Sequence, residues 1–184
     1  MHTLWNRFHT VSVFALQTLG VLAAMAACST YFIEDNPQVT TLKVRDMQFL
    51  RPFSNAYTRS DPFDVTMFTM DIEADLSSVF NWNTKQLFVY VTAEYETEEN
   101  PNSVVVVWDR IIQTPEDAVL SLHDEKCEYG LRSRSQDLRG TYVTLRLHWE
   151  TMPLSGLMLL RSQGSSAKFS LPEAYMGGAT MQRT

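Results

Sequence analysis

The chain predicts an all-β fold, an antiparallel β-sandwich preceded by one N-terminal transmembrane α-helix. Three observations predict it. Val11 to Ile33 is a run without a charged side chain. Beyond that run, apolar residues recur mainly with a period of two, as in strands with one buried face. Gly- and Pro-containing pairs then divide the remainder into short segments at regular intervals, the rhythm of a sandwich. The expected organisation is a short N-terminal segment at 1–10, a spanning helix at 11–33, and a β-sandwich domain at 34–184.

The 23 residues of the uncharged run would form a helix of roughly 34 Å at about 1.5 Å per residue. A hydrocarbon core of about 30 Å can be crossed by that length with modest tilt. Arg7 lies ahead of the run and Glu34-Asp35 directly behind it, so the short flank should stay in the cytoplasm and the rest should cross. The run alone leaves two cleaved alternatives open. Ala24-Met25-Ala26 has the small residues of a signal-peptide cleavage site, and Met25-Ala26-Ala27-Cys28 loosely resembles a bacterial lipoprotein box. Against both, apolar character continues past Cys28 through Tyr31, Phe32 and Ile33, an extension that only a spanning helix needs.

The part after the run, about 150 residues, suits one domain with a sizeable core. The chain's formal net charge is −6, and the segment after Ile33 is one unit more acidic because Arg7 is the sole Lys or Arg before it. An acidic surface argues against nucleic acid and against docking on anionic lipid through a basic face. Of the two cysteines, Cys28 falls in the apolar run and Cys127 far downstream. Cys127 is therefore expected as a buried, unpaired thiol acting as a small hydrophobe. The chain holds no Asn-x-Ser/Thr acceptor for a glycan.

After Asp35-Asn36-Pro37 the strands follow one another. Val65 and Met67 lead into Phe68, Met70, Ile72, Ala74 and Leu76, and the phase change between Met67 and Phe68 suggests a bulge. In Thr141–Trp149, Val143, Leu145, Leu147 and Trp149 share one face, and Tyr142, Thr144, Arg146 and His148 the other. Lys85–Glu96 and Ser103–Gln113 are apolar on both phases, as central strands covered on two sides are. Glu98-Glu99-Asn100-Pro101-Asn102 reads as the hairpin loop between them. Weaker strands are expected at Thr40–Phe49, Ala118–Leu122, Leu157–Arg161 and Ala167–Leu171. Arg51-Pro52, Thr114-Pro115, Arg139-Gly140 and Pro153 to Gly156 supply turns, Ser77–Phe80 a short helical turn, and Gly177–Thr184 a small-residue tail.

No catalytic constellation emerges. His2 and His9 sit ahead of the apolar run, and His148 falls on the polar, solvent-facing phase of its strand. His123-Asp124-Glu125-Lys126-Cys127 offers metal-ligand types without a second His/Cys pair to complete a tetrahedral set. A Gly-x-Ser-x-Gly elbow is absent. Ser-Lys chemistry needs a desolvated lysine. Among Lys43, Lys85, Lys126 and Lys168, the nearest approach is Ser165-Ser166-Ala167-Lys168, better read as a loop entering a strand. Glu94, Glu96, Glu98 and Glu99 lack a calcium-loop spacing and fit a solvated strand end. No metal or other cofactor is expected.

One block is more distinctive. Asp75-Leu76-Ser77-Ser78-Val79-Phe80-Asn81-Trp82-Asn83-Thr84-Lys85-Gln86-Leu87-Phe88-Val89-Tyr90-Val91-Thr92-Ala93-Glu94-Tyr95 resembles the central segment of the signal peptidase complex subunit 3 family. Val106-Val107-Trp108-Asp109-Arg110-Ile111-Ile112 resembles that family's next strand. Val143-Thr144-Leu145-Arg146-Leu147-His148-Trp149 with Pro153 and Gly156 resembles a third block, and Phe169-Ser170-Leu171-Pro172-Glu173-Ala174-Tyr175 the last. The one departure is Tyr142, where many members carry a glycan acceptor. The resemblance implies a non-catalytic, essential subunit of the endoplasmic-reticulum signal peptidase complex. It would be a single-pass type II protein with a signal-anchor, a cytosolic N-terminus and a lumenal domain. Its partners would be the catalytic signal peptidase subunit, the complex's other small membrane subunits and, indirectly, nascent chains bearing signal peptides.

In physical terms Phe80 and Trp82 are candidate aromatic anchors, while Asn81 and Asn83 can satisfy their own backbone in a tight turn before Lys85. Phe80, Asn81, Trp82, Asn83 and Lys85 are therefore the candidate partner interface, the alternative being a well-packed sandwich corner. A secreted or lipid-anchored binding module with a cleaved signal is the second functional reading. A hydrolase using His123 or His148 is a distant third.

Overall fold

The computed structural model describes residues 3–30, 32–50, 64–97, 101–133 and 138–174. The expected Arg51-Pro52 turn, Glu98-Glu99-Asn100 of the hairpin loop, Tyr175 and the Gly177–Thr184 tail lie outside the described residues. Helix α1 runs Leu4–Thr30, 27 residues with none buried. It begins ahead of Val11 and ends before Ile33. Thr10, Thr18, Ser29 and Thr30 each donate their hydroxyl to a carbonyl one turn back, at 2.9 Å. Hydroxyls satisfied on their own helix suit a lipid environment. By length and composition α1 is a candidate membrane span.

Eight described strands form two antiparallel sheets of four. The first holds β1 (Gln38–Leu50), β2 (Asp64–Asp75), β5 (Val119–Lys126) and β6 (Leu131–Ser133). Its order is β1-β2-β5, with β6 pairing the start of β2. The second holds β3 (Thr84–Tyr95), β4 (Ser103–Ile112), β7 (Tyr142–Pro153) and β8 (Leu159–Ser170), ordered β4-β3-β7-β8. Their inner faces meet in one core that includes Phe49, Met70, Ile72, Leu87, Trp108 and Leu145. Large side chains without polar demands dominate it, so burial drives the assembly. Trp108 also reaches across: its Nε1 donates to Glu125 of β5 at 3.2 Å, which Arg110 of β4 pairs with at 3.2 Å.

The alternation of β7 is as expected, with Val143, Leu145, Leu147 and Trp149 buried. The short turn appears as a 3-10 helix at Ser77–Val79, and Cys127 is a buried free thiol whose pKa burial raises. Three expectations need correction. β2 has no bulge between Met67 and Phe68: Asp64 and Thr66 take inner positions in phase with Phe68, and Val65 and Met67 point outward. The outward pair is half-covered by the segment after β5, where a Cβ on Gly130 would lie 3.2 Å from Val65 and 2.8 Å from Met67. The second correction concerns β4, an edge strand rather than a central one, with Val104, Val106 and Ile111 exposed on its outer side. The third is that the two weak strands at Leu157–Arg161 and Ala167–Leu171 are one continuous β8, its pairing with β7 shifting between Leu145 and Leu147.

Candidate functional site

The Phe80–Lys85 corner connects the 3-10 turn to β3. Asn81 accepts from the Asn83 backbone N–H through Oδ1 at 2.9 Å, and its carbonyl accepts from Thr84 N–H at 3.0 Å. Thr84 Oγ1 donates to Val79 O at 3.3 Å and accepts from Asn81 N–H at 3.2 Å. The two asparagine-centred bonds are the local turn that Asn chemistry favours. Phe80 is half-buried against the core. Trp82 is 62% exposed, and Lys85 is exposed at the start of β3.

Asn83 does more than shape its own turn. It is 2% exposed and clamps the loop after β7 from three sides. Its Nδ2 donates to Ser155 O at 2.7 Å, its Oδ1 accepts from Ser155 N–H at 3.0 Å, and its carbonyl accepts from Leu154 N–H at 2.7 Å. An amide side chain offers both a donor and an acceptor, so one residue satisfies both backbone groups of Ser155. The clamped loop in turn meets α1. Ser155 Oγ donates to Ala23 O at 3.1 Å. Gly156, at φ +117°, sits so close that a Cβ there would lie 3.0 Å from Ala27 Cβ. Only glycine accepts both that backbone angle and that approach.

Sequence reasoning found the corner but missed Ser155, Gly156 and the alanines of α1. The signal was available in two places: small residues four apart on a helix, Ala23 and Ala27, permit close backbone approach. Pro153 to Gly156 is followed by further uncharged apolar residues rather than polar ones.

Among the described residues, the histidines do not come together in a site. His148 is half-buried rather than simply solvent-facing. Its ring stacks on Tyr90 at 5.1 Å, and its Nε2 is 2.8 Å from Thr92 Oγ1. Burial lowers its pKa, Arg146 lowers it further, and Glu94 and Glu150 oppose them. His123 is exposed, 4.0 Å from Asp71, while Glu125 is turned toward Trp108 and Arg110. Among the described residues no group of three His, Cys, Asp or Glu could hold a metal. Ser165 to Lys168 lies within β8, not in a loop, and Lys168 stands over the Tyr142 ring at 5.0 Å. Glu94 is paired with Arg146 at 2.9 Å. At the end of the sandwich away from the corner, an open cleft of about 540 Å³ is lined by Glu94, Tyr142, Arg146 and Lys168 among others.

The outer face of the second sheet is the molecule's other unusual surface. Along β4, Val104 is 60% and Ile111 53% exposed, with Val106 between them. In register beside them, Phe88 pairs with Ile111, Tyr90 with Asp109 and Thr92 with Val106.

Fold and corner together define an antiparallel β-sandwich packed through one loop against the flank of an apolar helix that is a candidate membrane span. A family model described as signal peptidase subunit matches residues 1–174. The signal peptidase complex subunit 3 of Gallus gallus is 33% identical over 177 residues, covering 95% of this chain and 97% of that one. Its Dictyostelium discoideum counterpart is 31% identical over 96% of this chain and 98% of its own length. That of Homo sapiens is 32% identical over 95% and 97%. The chain belongs to the signal peptidase subunit family.

Proposed function

We propose that this chain is a non-catalytic subunit of the endoplasmic-reticulum signal peptidase complex. In this reading it is anchored by α1 with the N-terminus cytosolic and the sandwich lumenal. It holds the catalytic serine-protease subunit in place while signal peptides are removed from nascent secretory proteins. Family membership carries the assignment to the complex. The brace between Asn83, Ser155 and the alanines of α1 supports the scaffolding role, because it ties the sandwich to its anchor in one orientation. The same brace favours retention of the anchor over cleavage after Ala26 or Ala27, which would remove Ala23 from its bond with Ser155. The organisation follows as a short N-terminal segment, an apolar span within 1–33 and a domain from 34 onward.

The exposed apolar edge of β4 with Phe88 and Tyr90 suits the catalytic subunit, since aromatic and aliphatic side chains left uncovered on a folded domain mark partner surfaces. Within the corner, Asn83 forms the brace, Asn81 shapes the turn that presents it, and Phe80 packs against the core. Trp82 and Lys85 are the outward side chains by which this end meets its surroundings in the complex. The non-catalytic reading is supported by the engagement of His148 with Thr92 and Tyr90 and by its separation from His123.

Affinity capture from detergent-solubilised endoplasmic-reticulum membranes should recover the catalytic subunit together with a chain whose N-terminal sequence precedes Ala26. The chain purified alone should not process a pre-protein. Site-specific turnover by the isolated chain, or a mature start after Ala26 or Ala27, would overturn the reading.

A further inference from the structure

The apolar loop after β7 lies at a level of α1 that the span itself determines. Helix α1 holds 27 residues, about 40 Å at 1.5 Å per residue, more than the roughly 30 Å of a hydrocarbon core. Ser155 bonds Ala23, and Gly156 packs on Ala27, so the sandwich reaches about 10 Å down the helix from Thr30. If hydrocarbon extended from Val11 to Ile33, this contact would place loop backbone and the Ser155 hydroxyl near the bilayer centre, where lipid-exposed irregular backbone is not tolerated. If hydrocarbon begins near Leu4, about 30 Å of helix is used by the level of Ala23, and the loop falls at the lumenal boundary. Arg7 can then reach the cytosolic headgroups along its own stem.

The loop is built for that boundary. From Met152 to Leu160 no residue is charged. Leu154, Leu157 and Met158 are exposed, Leu157 at 83%, and Trp82 stands exposed beside the clamping Asn83. Tryptophan with aliphatic neighbours is the composition of membrane-water interfaces, and surface-seated apolar groups enter the headgroup region by about 5–10 Å. Within the loop, Asn83 satisfies both backbone groups of Ser155 and the N–H of Leu154 from the protein side. We propose that the Leu154–Met158 loop, with Trp82, inserts into the lumenal leaflet beside α1 and seats the sandwich on the membrane at a fixed height. The inference rests on the reading of α1 as a membrane span, and lipid acyl chains are the occupant.

The test uses nitroxide labels on the full chain in phosphatidylcholine nanodiscs, at Leu157→Cys, Tyr142→Cys and Leu16→Cys in a Cys28→Ser background. Tyr142 is exposed at the opposite end of β7, and Leu16 lies mid-helix. Collision with oxygen relative to a water-soluble nickel chelate reads depth. The expected result is a ratio at residue 157 several-fold above that at 142 and approaching that at 16. Equal ratios at 157 and 142, with 16 in lipid, would overturn the loop insertion and leave the span intact. Aqueous values at all three would overturn the span and the insertion together. A label at 157 shielded from both probes in the purified complex would mean a protein occupant and would also overturn the proposal.

Discussion

On the outer face of the β1-β2-β5 sheet, Thr41 donates to Glu73 at 3.1 Å and Arg45 pairs with Asp71 at 3.0 Å. Asp71 also accepts from the Asp124 N–H at 2.9 Å, the bond that does most to lower its pKa. On the outer face of the β4-β3-β7-β8 sheet, β3 and β7 carry comparable polar pairs, Glu94 with Arg146 and Tyr90 with Glu150. The β4 margin carries Val104, Val106 and Ile111 in the open. The same period-two pattern made both faces. One closes polar groups upon itself and leaves Val119 at the start of β5 as an exposed apolar side chain; the other keeps three along one margin, apolar area that water penalises at about 25 cal/mol per Å². A face that is costly to leave bare is the face to search for a partner.

The strongest way to break this comparison is to put charge on the bare margin. Val106→Glu with Ile111→Glu should cut recovery of the catalytic subunit by about 30-fold, the scale of losing contacts worth about 2 kcal/mol. Both positions are exposed, so the melting temperature should barely move. Lys43→Glu with Arg45→Glu on the opposite face should leave recovery near wild type. Equal losses from both pairs, or none from the first, would remove the distinction. Next in size is Asn83→Ala, which strips the clamp from Ser155 without touching either face. Ser155 is half-buried, so leaving its backbone groups unpaired costs about 1 kcal/mol, the low end for a buried group. Denaturant unfolding should report that loss, and amide exchange at Ser155 should accelerate. Unchanged stability and exchange would mean that the corner does not brace the loop.

Much of this was legible in the sequence because alternation and burial have the same physical cause. Val143, Leu145, Leu147 and Trp149 could be assigned to one face directly, and the Asn81–Asn83 turn announces itself through asparagine chemistry. The edge position of β4 was not legible. A strand apolar on both sides reads as central, and the alternative, apolar residues held open for another chain, leaves the same letters. The tie between Asn83 and Ser155 was invisible for a different reason. It joins residues far apart in sequence, through hydrogen bonds that leave no periodicity. The Met67–Phe68 misreading is of a third kind, since Asp64 and Thr66 took inner positions that polarity alone would deny them.

His148 offers a subtler probe of the second face. Burial lowers its pKa below the ordinary 6.5, so the unfolded chain takes up a proton before the folded one does. Its contribution to stability is therefore complete above pH 6.5 and declines as pH falls through the lowered value. Tyr90, Thr92, Glu94, Arg146 and Glu150 are the groups facing it, and His148→Gln should flatten that decline in unfolding measured across the range. A partner laid over this face would desolvate the ring further. Capture of the catalytic subunit should then weaken as pH drops below 6.5 in the wild type and less in the variant. An identical pH response in both proteins would argue that nothing covers His148.

The smallest effect is expected on the self-closed face, and its smallness is informative. Arg45 is mostly exposed in its pair with Asp71, and exposed pairs contribute about 0–1 kcal/mol. Arg45→Ala leaves Asp71 still accepting from Asp124 N–H, so no carboxylate is stranded. Chemical denaturation should show only a small loss that shrinks further in salt, with partner recovery unchanged. A salt-insensitive loss beyond that, or failure to recover the catalytic subunit, would mean that the polar ladder is itself a contact surface. The roles of the two faces would then be reversed, with the ion pairs serving a partner and the β4 margin merely bare.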